Sequence, residues 1–240
     1  MKLYDSIFTR KSTRKYRDQP LAQEQLAEIM DFARSAKPLF PEIEIRMELA
    51  SSADVKGIVS AKAPHYLLFY SEKKEGYLPN AGFLLQQVDL YLASKELGSC
   101  WLGIAKTTAP SKNGLDYVIM LAFGLAQDSP IHKDISEFNR QELSQISSGS
   151  DERLEAVRLA PSASNSQPWF FACQPEGIDV YRKKLGLLKG AMYETMNQID
   201  VGIALCHLWL ASEEHGKPFA FRLSANGPQR EGYNFFGLVS

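Results

Sequence analysis

The sequence predicts an α+β chain made of two related units. Three observations predict it. Stretches with helical apolar spacing alternate with short apolar runs of strand character, and neither kind dominates. The order helix, strand, long helix, strand occurs twice. Two long-helix ends also match: residues 90–98 read L-Y-L-A-S-K-E-L-G and residues 208–216 read L-W-L-A-S-E-E-H-G, six identities in nine positions at an offset of 118 residues (208 − 90). Weaker echoes flank them. A-F-G-L-A at 122–126 parallels F-F-G-L-V at 235–239, residues 26–34 parallel 154–162, and the strand at 66–70 parallels 169–173. Two copies are too few for a solenoid, which stacks three or more. They suit a two-fold pseudo-dimer within one chain. The 240 residues fit one large domain or two small ones. The first unit is placed at residues 1–148 and the second, shorter one at 149–240, together one compact body.

Each element follows from local pattern. Residues 2–8 carry Leu3, Tyr4, Ile7 and Phe8 at helical spacing. Residues 21–34 form an amphipathic helix, because Leu26, Ile29, Met30 and Ala33 recur three and four apart. Pro38 and Pro41 lie in the break that follows. Residues 43–49 alternate apolar and charged positions, as a half-buried strand does. Residues 51–61 make a short helix. The run Y-L-L-F-Y at 66–70 is a core strand. Residues 81–97 are the strongest helix of the first half, with Gly98 as its cap. Residues 118–125 form a buried strand, and the polar stretch 126–150 is a traverse between units. A helix at 152–159 follows. The runs 170–173 and 178–181 are hairpin arms around Pro175, Glu176 and Gly177. Residues 196–214 form the second long helix, ended at Gly216, and 219–223 and 234–239 are closing strands.

Composition narrows the function classes. Net charge is −1 and neither half is strongly basic or acidic, which argues against nucleic acid and anionic membranes as partners. Hydrophobic residues make up 45% and charged ones 23%, the balance of a soluble globular chain with a sizeable core. No apolar run approaches the roughly 20 residues that span a bilayer. The first ten residues lack the apolar core of a signal peptide. Cys100, Cys173 and Cys206 show no Cys-x-x-Cys spacing, and the four histidines show no metal-ligand spacing. A reducing cytoplasm and a site without metal are expected.

Two polar stretches carry the chemistry. Residues 159–171 read L-A-P-S-A-S-N-S-Q-P-W-F-F. Pro161 and Pro168 shape this loop by fixing φ and removing donors. Ser162, Ser164, Asn165, Ser166 and Gln167 suit a flat, polar, hydrogen-bonding ligand, though the same composition also describes an ordinary turn into a strand. Residues 10–17 read R-K-S-T-R-K-Y-R, five positive charges in eight positions. That is either a solvated basic face or a phosphate site. In an extended segment Arg10, Ser12 and Arg14 point one way, and two guanidinium forks with a hydroxyl suit a phosphate monoester. The chain has no G-x-G-x-x-G, no Walker loop and no G-x-S-x-G. Chemistry is therefore expected from a bound cofactor. The two units differ here. Only the first has the basic run, and only the second has the Asn/Gln loop, where the first reads A-R-S-A-K-P-L-F. One ligand site divided between two halves follows.

R-K-S-T-R-K-Y, then A-P-S-A-S-N-S-Q-P-W, and a long helix ending E-L-G-S-C-W-L-G together resemble the nitroreductase family of FMN-dependent flavoproteins, over nearly the whole chain. The match is to the fused single-chain branch, often called the putative TM nitroreductases. The resemblance implies antiparallel-rich central sheets flanked by helices, with FMN bound between halves. It implies that Arg10 holds the FMN phosphate, with Lys11 beside it, and Ser12 the phosphate or ribityl chain. Arg14 faces the pyrimidine edge. Pro161, Ser162, Ala163 and Asn165 line the ring from the other unit, and Leu102 and Gly103 lie by the reactive nitrogen. Lys133 and Arg140 are the candidates for a further basic phosphate contact, Arg140 preferred. Gln167, Pro168 and Trp169 hold the loop, with Trp169 as core. The second unit has lost the basic segment and the first the Asn/Gln loop, so one FMN per chain is expected.

The resemblance implies an oxidoreductase in which NAD(P)H reduces FMN and a small electron-poor aromatic acceptor, a nitroaromatic or quinone, then takes its place by ping-pong exchange. No protein acid or base is required, and a monomer acting as its own pseudo-dimer is expected. The competing reading is a degenerate protein that binds flavin or another phosphorylated ligand without turnover. Reductive dehalogenation or flavin breakdown, which relatives of this fold perform, is a third.

Overall fold

The computed structural model describes residues 2–57, 60–186 and 191–240. The first half runs α1 (Leu3–Ile7), α2 (Gln23–Ser35), β1 (Ile45–Ala50), β2 (Val55–Lys56), β3 (His65–Ser71), α3 (Tyr77–Ser94), β4 (Gly98–Leu102), β5 (Lys106–Thr107), β6 (Ser111–Lys112) and β7 (Leu115–Gly124). The second runs α4 (Leu143–Ile146), β8 (Ser147–Ser148), α5 (Leu154–Arg158), β9 (Trp169–Gln174), β10 (Gly177–Lys183), α6 (Ala191–Glu214), β11 (Phe221–Leu223) and β12 (Tyr233–Val239). No helix among the described residues is long and apolar enough to cross a membrane.

Two five-stranded sheets flank the central helices. The first is ordered β1-β3-β7-β4, with β6 alongside β7, and the second β11-β12-β10-β9-β8. Pairing is antiparallel except for β8 with β9. The strands β1, β3, β7, β4 therefore correspond in order to β9, β10, β12, β11. This corrects one expected pairing: the strand at 66–70 matches β10, and 169–173 matches β1. The short apolar runs look alike in sequence, and only the sheet order separates them. The expected helix at 51–61 is replaced by a 3₁₀ turn at Ser52–Asp54 and the strand β2, with positions 58–59 outside the described residues. Residues 98–102, assigned no element from the sequence beyond the cap at Gly98, are the strand β4.

The core is the pair α3 and α6. Leu85, Val88, Leu90 and Leu92 of α3 and Val201, Leu205 and Leu208 of α6 are fully buried. Helices apolar on all sides belong inside, not on a surface. They cross through two glycines. A Cβ on Gly82 would lie 2.0 Å from the Ile199 carbonyl oxygen, and one on Gly202 would lie 2.1 Å from the Pro79 oxygen. Gly82 contacts Ile199 as Gly202 contacts Pro79, and both offsets are 120 residues (202 − 82 and 199 − 79). Such reciprocity is what a two-fold relation produces.

The helix ends obey the same offset. After α3, Leu97 N–H donates to the Leu92 oxygen and Glu96 N–H to Ala93; after α6, Lys217 N–H donates to Ser212 and Gly216 N–H to Glu213. Glu96 (φ 55°) and Gly216 (φ 63°) take the left-handed turn. Gly98 is thus not the cap of α3. It opens β4 where the N-terminal segment crosses, and a Cβ there would lie 2.7 Å from Thr13. The structural register is 120, and aligning glycine with glycine gives 118.

Candidate functional site

The N-terminal segment after α1 runs extended beside β4. Ser12 bridges Ser99, and Thr13 N–H donates to the Ser99 oxygen at 2.8 Å. This registers Ser12 and Arg14 at the edge of a cleft of about 120 Å³. Trp101 and Gly103 at the end of β4 form a second wall. Pro161, Ser162, Ala163 and Ser164 of the loop after α5 form a third. Met196, Ile199, Asp200 and Ile203, one face of α6, make the floor.

The loop holds a strained shape. Ser164 (φ 53°), Asn165 (φ 56°) and Gln167 (φ 46°) are all left-handed without being glycine. Such residues cost energy and persist where their surroundings hold them. Here the polar side chains do so. Ser162 Oγ accepts from Gln167 N–H at 2.8 Å, Gln167 Oε1 accepts from Gln141 N–H at 2.8 Å, and Asn165 Nδ2 donates to the Asn139 oxygen at 2.7 Å. Trp169 is fully buried in the core behind the loop.

Six of the residues expected from sequence come together in the cleft: Ser12, Arg14, Gly103, Pro161, Ser162 and Ala163. Arg14 is exposed and forms no ion pair among the described residues. The others are placed differently. Arg10 lies behind the cleft, 2% exposed, with Nε donating to Asp89 Oδ2 at 2.6 Å and Nη2 to Ser12 Oγ at 2.8 Å. Asp89 also accepts from Ser99 Oγ and from Trp101 Nε1 at 3.1 Å. A guanidinium so committed positions Ser12 and is not offered to the cleft. Leu102 is buried opposite Met120, Lys11 is half-buried outside the lining, and Lys133 is exposed in the traverse.

Arg140 and Asn165 meet at the outer side of the loop. Arg140 Nη1 donates to Asn165 Oδ1 at 2.8 Å, and Nη2 to the Leu159 oxygen at 3.3 Å. No carboxylate pairs with Arg140 among the described residues. Burial, then the Arg10 and Arg158 charges, push its pKa down to about 10. It stays a cation at neutral pH, held in a neighbourhood that is positive without it. That is an arrangement an anion relieves.

Asp200 was missed in the sequence. Both its oxygens accept from Ala163 N–H, at 3.0 and 3.1 Å, and burial pushes its carboxyl up to about 8. The signal was available: Met196, Ile199 and Ile203 recur at helical spacing, and Asp200 interrupts that stripe. Cys100 of β4 lines the same cleft, its thiol raised by burial against the pull of Arg14 and Arg10, so it is no ready nucleophile.

The family model described as "Putative TM nitroreductase" matches residues 2–212. The chain belongs to this family. Among solved structures, a protein described as a "putative nitroreductase" from Thermotoga maritima shares 18% identity, covers 100% of this chain and 94% of its own, and superposes with a TM-score of 0.69. A nitroreductase family protein from Clostridium difficile, at 20% identity, covers 63% of this chain and 99% of its own with a TM-score of 0.50. These likenesses show a nitroreductase fold. An FMN-dependent nitroreductase from Clostridium difficile matches 54% of this chain and 91% of its own at 16% identity, with a TM-score of 0.41. No curated protein matches the chain. As a nitroreductase-family chain, it carries the loop and the N-terminal segment that the motifs indicated, on opposite walls of one cleft.

Proposed function

We propose that the cleft binds FMN and that the protein is an FMN-dependent oxidoreductase, passing electrons from NAD(P)H to a small electron-poor acceptor such as a nitroaromatic or a quinone. The observation that carries this reading is the meeting of Ser12 and Arg14 from the first half with Pro161, Ser162 and Ala163 from the second on one cleft of a nitroreductase fold. The residues present fit the group. Exposed Arg14, on the cleft's edge, suits a phosphate, while Arg140 lies behind the loop, bonded to Leu159, Asn139 and Asn165. The small residues Ser162 and Ala163 keep bulk off the loop side of the cleft, and Met196 packs against Gly103 on the other, 2.7 Å from where a Cβ would lie. FMN bound there would supply the two-electron hydride chemistry.

The chain's own residues bind and orient. Arg10 and Asp89 fix Ser12 and Trp101 in place. Ser162 holds the loop through Gln167 N–H, with Pro161 and Ala163 on the cleft wall. We infer two units, 1–148 and 149–240, acting as a pseudo-dimer. The reciprocal crossing of α3 and α6 and the matching strand orders support this.

Purified protein mixed with FMN should quench flavin fluorescence, and NADH or NADPH added without oxygen should then bleach the oxidised flavin band. A chain that takes up no FMN overturns the proposal. One observation favours binding without turnover, namely the withdrawal of Arg10 from the cleft into its pair with Asp89. Flavin uptake with no bleaching by either nucleotide selects that reading.

A further inference from the structure

Asp200 is the one group of the cleft for which flavin binding gives no account. It sits on α6 at 3% exposure, facing the cleft between Ile199 and Ile203. Its hydrogen-bond partner is the Ala163 N–H, and no cation pairs with it among the described residues. Arg14 from the N-terminal segment and the Cys100 thiol from β4 are the other titratable groups that line this cleft, and burial and the Ala163 N–H act on Asp200 itself. The loop offers hydroxyls and methyls, and α6 itself offers aliphatic and thioether groups.

The tether alone does not require an acid. In the first unit the matching position is Asn80, at the same offset of 120 residues (200 − 80) that relates the two crossing glycines. Asn80 Oδ1 accepts from Leu39 N–H at 2.9 Å and from Phe40 N–H at 3.1 Å, holding the loop after α2. An amide therefore does this work in one unit, and a carboxyl does it in the other. What the carboxyl adds is a proton, and it adds it only on the side where the cleft lies.

We propose that Asp200 is the proton donor of this cleft, a catalytic acid that protonates the acceptor as it is reduced. The inference rests on the flavin reading. Two-electron reduction of a quinone to a hydroquinone, or of a nitro group to a nitroso group and water, needs one hydride and one proton. Reduced FMN bound in the cleft would supply the hydride. The Asp200 O–H bond breaks, its proton goes to an acceptor oxygen, and the carboxylate left behind regains a proton from water at the cleft mouth. Burial keeps the carboxyl protonated at neutral pH, so the acid is charged with its proton before the acceptor arrives.

Two measurements test this. In ligand-free protein, carbon-13 NMR of the aspartate carboxyls, with Asp200→Asn identifying the signal, should show Asp200 titrating near pH 8. Titration in the ordinary range, near pH 4, overturns the proposal. In FMN-loaded protein reduced with dithionite, oxidation by a quinone should slow at least about 10-fold as pH rises through 8, and Asp200→Asn should be slow at every pH with no such step. A variant that oxidises at the wild-type rate overturns the acid alone. A chain that takes up no FMN overturns the flavin reading itself, and the acid's role with it.

Discussion

Arg10 and Asp89 have side chains 3% and 0% exposed, so the worth of their ion pair lies in what its loss would leave behind. Arg10→Ala strands a buried carboxylate that also receives Ser99 and Trp101. The expected cost is about 3–5 kcal/mol of stability, read from urea unfolding. A loss below about 1 kcal/mol would show that the pair is not buried as described. Asp200 has the opposite sign. Its pKa rises from 3.8 in the unfolded chain to about 8 in the folded one, so folding favours the protonated form. Its stability contribution is full below about pH 4 and is lost as pH climbs toward 8. Asp200→Asn keeps the tether to Ala163 without that cost. The variant should gain on wild type between pH 5 and pH 8 by on the order of a few kcal/mol, measured as the gap between denaturation midpoints. A gap that does not change with pH would mean that Asp200 does not titrate in this window. The sequence made Arg10 and Arg14 conspicuous by charge, but a basic run has no depth when read along the chain. Depth was set by Asp89, 79 positions away and the only charged residue within the 18 residues of α3.

The crossing of α3 and α6 rests on two glycines that let backbone touch backbone. Gly82→Ala and Gly202→Ala would each drive a methyl into a carbonyl oxygen of the facing helix. Each is expected to cost at least about 2 kcal/mol, and the two costs should be similar because the contacts are reciprocal. One variant unfolding and the other behaving as wild type would break the two-fold account. The long helices, the core strands and the hairpin at β9 and β10 were legible from spacing and turn residues. The register between the units was not. Glu96 accepts a left-handed conformation that Gly216 takes without strain, so the sequence placed its matching glycine two positions late, at Gly98. Strand β4 was missed because five residues beginning Gly-Ser carry little pattern, and its place is set by pairing with β7.

On the pseudo-dimer proposal the chain has two places where a flavin site could form, and their residues differ. The offset of 120 that aligns the glycines also aligns Trp101 with Phe221 (221 − 101), and the tethers of Asp200 and Asn80 align Ala163 with the Leu39–Phe40 stretch. In the first place, small loop residues and Trp101 leave a cleft. In the second, Phe40 stands where the loop has Ala163, its ring packs edge-on to Phe221 at 6.2 Å, and it lies against Gly76, the counterpart of Met196 (196 − 76). Half-buried aromatic side chains stand there in place of the small loop residues of the first. The basic segment has no counterpart in the second unit either. Fluorescence titration of a known concentration of chain with FMN should therefore break at one equivalent. A break at two would mean that Phe40 and Phe221 swing aside and that the second cleft is functional. A break at one that persists when the chain is diluted across the range where a dimer would dissociate would show that a single chain supplies both walls of the site, as the meeting of Ser12 with Ser162 across the cleft requires.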